Sequence, residues 1–225
     1  AYLTVIIFLF WTLYPLYFFI LKSFQTPATY YELLPLPRQP TLEHYLAIFT
    51  TEPVKAGGVV VGTLTGTAST SMPPLYNLIN SVVVAVGSTA LSVALGLFAA
   101  YSFSRYRFRG SENFAFWILS IRMLPPMATI IPIFFLMVFL QLTDTYPALI
   151  IAHTVTILPF FIWMMRSFFL DIPREIEEAA VVDGCSRIEA FVRVILPLST
   201  PAILSTAIFC MIFSWTEFPF ALVLT

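Results

Sequence analysis

Glu175, Glu177, Glu178, Asp183 and Glu189 are gathered with Arg174, Arg187 and Arg193 into residues 173–197, PREIEEAAVVDGCSRIEAFVRVILP, in a chain of which only 10% is charged. Carboxylates at this density serve a metal only beside further ligands at ligand spacing. The two cysteines, Cys185 and Cys210, show neither a CxxC nor a zinc spacing and imply no disulfide framework. What the pattern does suit is a polar docking surface. Pro173 fits the first turn of a helix, and Glu175, Glu177 and Glu178 sit where the helix dipole favours negative charge. Gly184 can take the left-handed conformation of a sharp stop. Ser186 and Glu189 then read as a capping box opening a second helix, which runs to Pro197. Ala179, Ala180 and Asp183 lie at helical spacings from Ile176 and form a small-residue face offered outward, while Phe191, Val194 and Ile195 face the bundle. The alternative is an amphipathic pair lying on the inner leaflet. Anionic lipid would repel its acidic start.

Elsewhere, polar residues stand singly in apolar surroundings. Arg122 lies about 12 Å into an apolar run at 1.5 Å per residue. There it is either a gate residue near a cytoplasmic mouth or a side chain snorkelling to the inner surface. Glu217, between Trp215 and Phe218, joins a hydrogen-bond acceptor to aromatic faces, which suits a hydroxylated ring; the same group also fits an interfacial aromatic belt. His153 lacks an acidic partner one turn away and reads as a packed, neutral histidine rather than a proton relay. Asn77 and Asn80 either line an outer vestibule or cap a helix. No HExxH, GxSxG or Gly-rich nucleotide loop is present, so neither hydrolytic chemistry nor ATP binding is expected of this chain, and no metal or cofactor of its own.

The elements that must hold these residues are membrane helices. Hydrophobic residues make up 59% of the 225, and charge is far below the roughly 25% of a soluble domain. Apolar runs at about 1–22, 78–103, 114–140, 147–170 and 198–220 each match the roughly 20 residues that cross a bilayer, predicting an all-α polytopic bundle of five spans in one domain, 1–225. Arg105, Arg107 and Arg109 follow the second run, and Arg166, Arg174, Arg187 and Arg193 surround the charged segment. The positive-inside rule therefore places 171–196 in the cytoplasm, the N-terminus inside and the connection 22–77 outside. Five spans would leave Thr225 outside, so a sixth span beyond it is expected. Within 22–77, Thr41 is placed to cap a short helix in LEHYLAIF. The Gly58/Gly62/Gly66 tract reads as a loop or hairpin rather than a helix-packing face.

EEAAVVDGCSRIEAFVRVILP resembles the EAA motif of ABC importer permeases: Glu178, Ala179, Ala180, Gly184, Leu196 and Pro197 match, Val194 stands for isoleucine, and Cys185 stands where alanine often follows the glycine. RMLPPMATIIPIFFLM, DTYPALIIAHTVTILPFFIWMMRSFF and SWTEFPFALVLT resemble the carbohydrate, MalG-like maltose-type subgroup. The resemblance implies a type I importer permease whose motif helices sit in a groove of a cytoplasmic ATPase, with Glu178 a polar contact, Ala179 and Ala180 the close-approach surface and Gly184 the turn. It also implies a place for this chain in the inner membrane, a second permease in a heterodimer, ATP-binding subunits that use ATP and Mg, and an extracytoplasmic solute-binding protein; no nucleic-acid partner is expected. Trp215, Glu217, Asn80 and Arg122 become candidates for the substrate pathway. The competing class is an ion-coupled carrier or channel, for which several intramembrane carboxylates or inverted repeats would be the signature.

Overall fold

A computed structural model describes residues 2–25, 40–46, 48–49, 55–56, 59–60, 74–106 and 109–225. The chain divides into two compact units, Ala1–Ile79 and Asn80–Thr225, the boundary falling within one helix.

In the first unit α1, Tyr2–Ser23, is apolar around its circumference and exposed along nearly all its length, as a helix bathed in lipid is. Its C-terminal end is tied down locally. Lys22 Nζ donates to Gln25 Oε1 at 2.8 Å, the Ser23 and Tyr45 hydroxyls meet at 2.7 Å, and the Thr41 amide donates to the Phe24 carbonyl. Thr41 Oγ1 accepts from the Glu43 amide at 3.1 Å and opens α2, Glu43–Leu46. A pair of two-residue strands follows, β1 Lys55–Ala56 against β2 Val59–Val60, antiparallel with Lys55 opposite Val60. The remainder of the Gly/Thr/Ser tract, with Gly58, Gly62 and Gly66, lies outside the described residues, as does Arg107.

The helix α3, Pro74–Arg105, carries the chain into the second unit. There α6, Tyr146–Asp171, is the central element: α3, α4 (Ser111–Ile121), α10 (Thr200–Trp215) and α11 (Pro219–Leu224) all touch it. Small residues let α3 lie close to α6. A Cβ on Gly96 would stand 2.3 Å from Cδ1 of the fully buried Phe161, and one on Gly87 2.8 Å from Ile150 Cδ1. In a bilayer, where burial against lipid gains little, such close packing is what holds helices together. One core gathers Tyr101, Phe161, Met165, Phe169, Phe191 and Ile195; a second joins Ile130, Met137, Ala148, Ala152, Phe220 and Leu224.

Two expected spans are not continuous. The run 114–140 is α4 and α5, Pro126–Phe139, separated by residues 122–125. The cause is local. A residue before proline is driven to extended geometry, and Pro125, which precedes Pro126, has ψ 131°, so α4 ends in tight turns before it. The run 198–220 likewise breaks at Thr216–Phe218, between α10 and α11. Among the described residues, three helices are long and apolar enough to cross a membrane (Tyr2–Ser23, Leu75–Arg105 and Tyr146–Asp171), and four if Arg187–Leu198 and Thr200–Trp215, bent by 73°, form one span.

Candidate coupling surface and pathway cavity

The charged segment folds as two short helices. The first, α7, is Arg174–Val182. It ends in a Schellman turn: the Gly184 amide donates to Val181 O and the Cys185 amide to Ala180 O, both at 3.0 Å, with Gly184 at φ 94°. Ser186 and Glu189 then close the capping box. The Ser186 amide donates to Glu189 Oε2 at 2.9 Å, and Ser186 Oγ accepts from the Glu189 amide at 3.3 Å. That backbone N–H, with Arg193 close by, holds the Glu189 carboxyl below the usual carboxylate range. From Arg187 the helix runs through α8, Arg187–Ala190, a π turn at Phe191–Ile195 and α9, Leu196–Leu198. Its junction with the last long helix is therefore the buried Ser199, two residues past Pro197.

Phe191 and Ile195 are buried and Val194 is partly covered. The other face departs from the simple expectation. Glu178, Ala179 and Asp183 are exposed, but Ala180 is buried, its carbonyl accepting from the Cys185 amide at the stop of the helix. Ala180 is thus a packing residue here, and Val182 and Ile188, the most exposed apolar side chains of the pair, take its place on the open face.

What attaches α7 to the membrane helices is Glu177. Its side chain is buried, with Oε2 2.9 Å from Arg105 Nε and Oε1 accepting from the Tyr101 hydroxyl at 2.5 Å. Arg105 also donates from both terminal nitrogens to Ile172 O at 3.2 Å, and Arg174 reaches the Ser104 and Arg105 carbonyls at 3.4 Å. The C-terminal turn of α3, whose free carbonyls attract cations, thereby grips the start of α7. The sequence showed three acids in one turn and an arginine at the end of a span. Nothing local separated Glu177 from its neighbours.

A second feature lies where the two helix breaks face one another. Arg122, at the C-cap of α4, and Glu217, between α10 and α11, line one cavity of about 240 Å³ together with Thr129, Thr156 and Thr216. The Arg122 guanidinium lies 4.1 Å from the centroid of Phe213 and 4.9 Å from that of Phe160. Glu217 Oε1 accepts from the Phe220 amide at 3.5 Å, at the start of α11. Trp215 is about half exposed and does not line the cavity; Asn80 is also away from it, its Oδ1 accepting from the Tyr146 hydroxyl at 2.7 Å. His153 is buried in a polar knot, its Nδ1 2.8 Å from Ser214 Oγ, which is itself 2.8 Å from Ser88 Oγ. This ties α3, α6 and α10.

Broken helices around a largely apolar cavity that holds an arginine and a glutamate, beside a helix pair fixed on one face and open on the other, are the parts of a transport subunit. Residues 92–225 match the family described as "Binding-protein-dependent transport system inner membrane component". The chain belongs to that family. It is 32% identical to the inner membrane ABC transporter permease protein YcjP of Escherichia coli (strain K12) over 96% of its length and 71% of the relative's. It is 36% identical to the trehalose/maltose transport system permease protein MalG of Thermococcus litoralis over 68% of its length and 54% of the relative's. To the diacetylchitobiose uptake system permease protein DasC of Streptomyces coelicolor it is 35% identical over 64%, against 52% of that protein. The chain thus spans 71% of the first relative and about half of the other two. Its fold matches a chain from the crystal structure of a bacterial ABC transporter that imports the acidic polysaccharide alginate, with TM-score 0.76 at 24% identity, over 99% of this chain and 71% of that one. The helical permease fold expected from the resemblance is therefore the fold found, with one short strand pair added to it, and a multi-pass inner-membrane component of a binding-protein-dependent system is what the family contains.

Proposed function

We propose that this chain is the permease subunit of an ATP-driven importer for a carbohydrate or sugar-like solute, forming half of the translocation pathway. Its relatives' names supply the carbohydrate class; the residue-level support is the pairing of Glu177 with Arg105. That buried contact fixes α7 to α3, so a push on the exposed face carrying Glu178, Ala179, Asp183 and Val182 moves the long helix as a rigid body. An alternating-access transporter driven from outside its own chain needs such a handle. In this reading 171–196 is cytoplasmic, the N-terminus is cytoplasmic and 22–77 is extracytoplasmic. The chain binds no cofactor; ATP and Mg are used by ATP-binding subunits docked on α7 and Gly184. A second permease completes a heterodimer in the lipid bilayer, and a solute-binding protein delivers cargo from outside. Arg122 and Glu217 belong to the pathway, and Asn80 and Trp215 to its margins.

The test is ATPase turnover of the reconstituted complex with and without its binding protein. Glu178→Ala and Gly184→Pro should leave the subunits together yet abolish the stimulation. Solute uptake that continues with the ATP-binding subunits removed overturns the reading in favour of an ion-coupled carrier.

A further inference from the structure

The second unit holds two buried cores, and the breaks in its helices fall between them. Ile118 of α4, Phe161 and Met165 of α6 and Cys210 of α10 pack in or against the first core. The second is made by Ile130 and Met137 of α5, Ala148 and Ala152 of α6, and Phe220 and Leu224 of α11. Residues 122–125 and 216–218 therefore each part a helix of one core from a helix of the other. A third crossing, α6, is continuous but carries Pro159, which cannot donate to the Val155 carbonyl. Val155 lies between Ala152 of the second core and Ile157 of the first. All three weak points meet at one cavity, which Arg122, Val155 and Glu217 line together.

The two charges of that cavity are held by different cores. Arg122 is stacked on Phe160 and Phe213, both packed against the first. Glu217 accepts from the amide of Phe220, which is fully buried in the second. Facing the same space, they form no ion pair with each other or with any other described residue. Hinges are short element-terminal stretches that absorb a change in backbone angles between bodies that stay packed. Resting on the importer reading, we propose that residues 122–125, 155–159 and 216–218 form a hinge between the two cores, and that its closure brings Glu217 onto Arg122 as a charge latch holding a second state of the transport cycle.

Packing and electrostatics both favour such a closed state. Interiors hold few voids larger than a water molecule, and about 240 Å³ at the boundary of two packed cores is space that closure removes. The cavity is largely apolar, so little competes for either charge, and opposite charges in contact attract far more strongly there than in water. Desolvation normally opposes a buried pair. Between two rings Arg122 is already largely withdrawn from water, so closure adds less of that cost. A guanidinium stacked on a ring keeps its N–H groups in its own plane, where a carboxylate can meet them.

The experiment is cross-linking of the complete complex in nanodiscs, nucleotide-free and after trapping with ATP and vanadate. Cys185→Ala and Cys210→Ala remove the native thiols. Ile121→Cys in α4 and Ile133→Cys in α5 then flank the first break at the cavity wall, to be joined by a short bis-thiosulfonate. The yield should differ about tenfold between the two conditions. Arg122→Met and Glu217→Gln should each erase the difference, and the double variant, which leaves no charge unmatched, should regain part of it. Co-purification with the partner subunits reports assembly; if Arg122→Met fails it, the nearly isosteric Glu217→Gln carries the comparison. Equal yields in both conditions, or a difference indifferent to Glu217→Gln, overturns the latch. Stimulation of the wild-type ATPase by the binding protein is read in parallel. If it is intact while the yields are equal, the latch alone falls; if it is missing, the importer reading falls and the latch with it.

Discussion

Arg105, in the last turn of α3, and Glu177, in the first turn of α7, form an ion pair at 2.9 Å with both side chains almost wholly buried. Such a pair contributes little relative to an apolar replacement, but it penalises heavily the loss of either partner alone. Glu177→Ala should therefore destabilise the assembled complex by about 3–5 kcal/mol. The double variant Arg105→Met/Glu177→Met should recover most of that loss. Thermal unfolding of the single and double variants measures both, and additive losses would show that the two residues do not act together.

Gly184 has φ 94°, and a side chain there would meet open space. The cost of Gly184→Ala is thus purely conformational, about 1–2 kcal/mol for a non-glycine residue in the left-handed region. Asn, which tolerates that region, should cost less, so Gly184→Asn should retain more coupled ATPase activity than Gly184→Ala.

Between α3 and α6 the constraint is space. Gly96→Ala presses a methyl onto the fully buried Phe161 and should cost about 1–3 kcal/mol through overpacking. Gly87→Ala meets only the flexible end of Ile150 and should cost less. Unfolding midpoints of the two variants in the same detergent give the order, and Phe161→Leu should rescue Gly96→Ala but not Gly87→Ala.

The capping box carries a pH dependence of determined sign. Glu189 is held below its ordinary carboxylate range by the Ser186 amide, so its contribution is full above the unfolded-state pKa and is lost as pH falls through the lowered folded-state value. Hydrogen exchange at the Ser186 amide should show protection at neutral pH that falls away on acidification. Glu189→Gln should flatten that profile.

Much of the coupling element was legible because its signals are local. Gly184, Ser186 and Glu189 each specify their own turn and do so in the structure, while Pro173, expected in the first turn, stands one residue before it as the N-cap of α7. The attachment through Glu177 was not legible, since Glu175, Glu177 and Glu178 share a helix turn and only the position of α3 selects among them. Ala180 failed for the same reason: helical spacing from Ile176 gives a face, while which edge of that face is covered depends on what packs against α7. The break at residues 122–125 was written in Pro125–Pro126 but was outweighed by hydropathy, which registers apolar length and is blind to backbone geometry. That Arg122 and Glu217 share a cavity depends on two breaks meeting in space, and no pattern along either segment carries that.

The π turn at Phe191–Ile195 acts as a spacer in the rotational sense. A wide turn accommodates one residue more than an α-helical turn does, and each residue of an α-helix advances about 100° around the axis. Deleting a single residue there, Val192 for instance, would restore a regular helix with Ser199 at nearly its present angle around the axis, whereas one residue more than the wide turn absorbs would turn Ser199 by about 100° relative to Ser186. The 73° bend would then send α10 off in another direction, carrying Ser214 away from His153 and Ser88 and Glu217 away from Arg122. The number of residues between the Ser186 cap and the bend thus sets the heading of the final helix. A further insertion in this short stretch, far from the cavity in sequence, is expected to dismantle it more completely than many substitutions within it, while a single deletion in the π turn is expected to be tolerated.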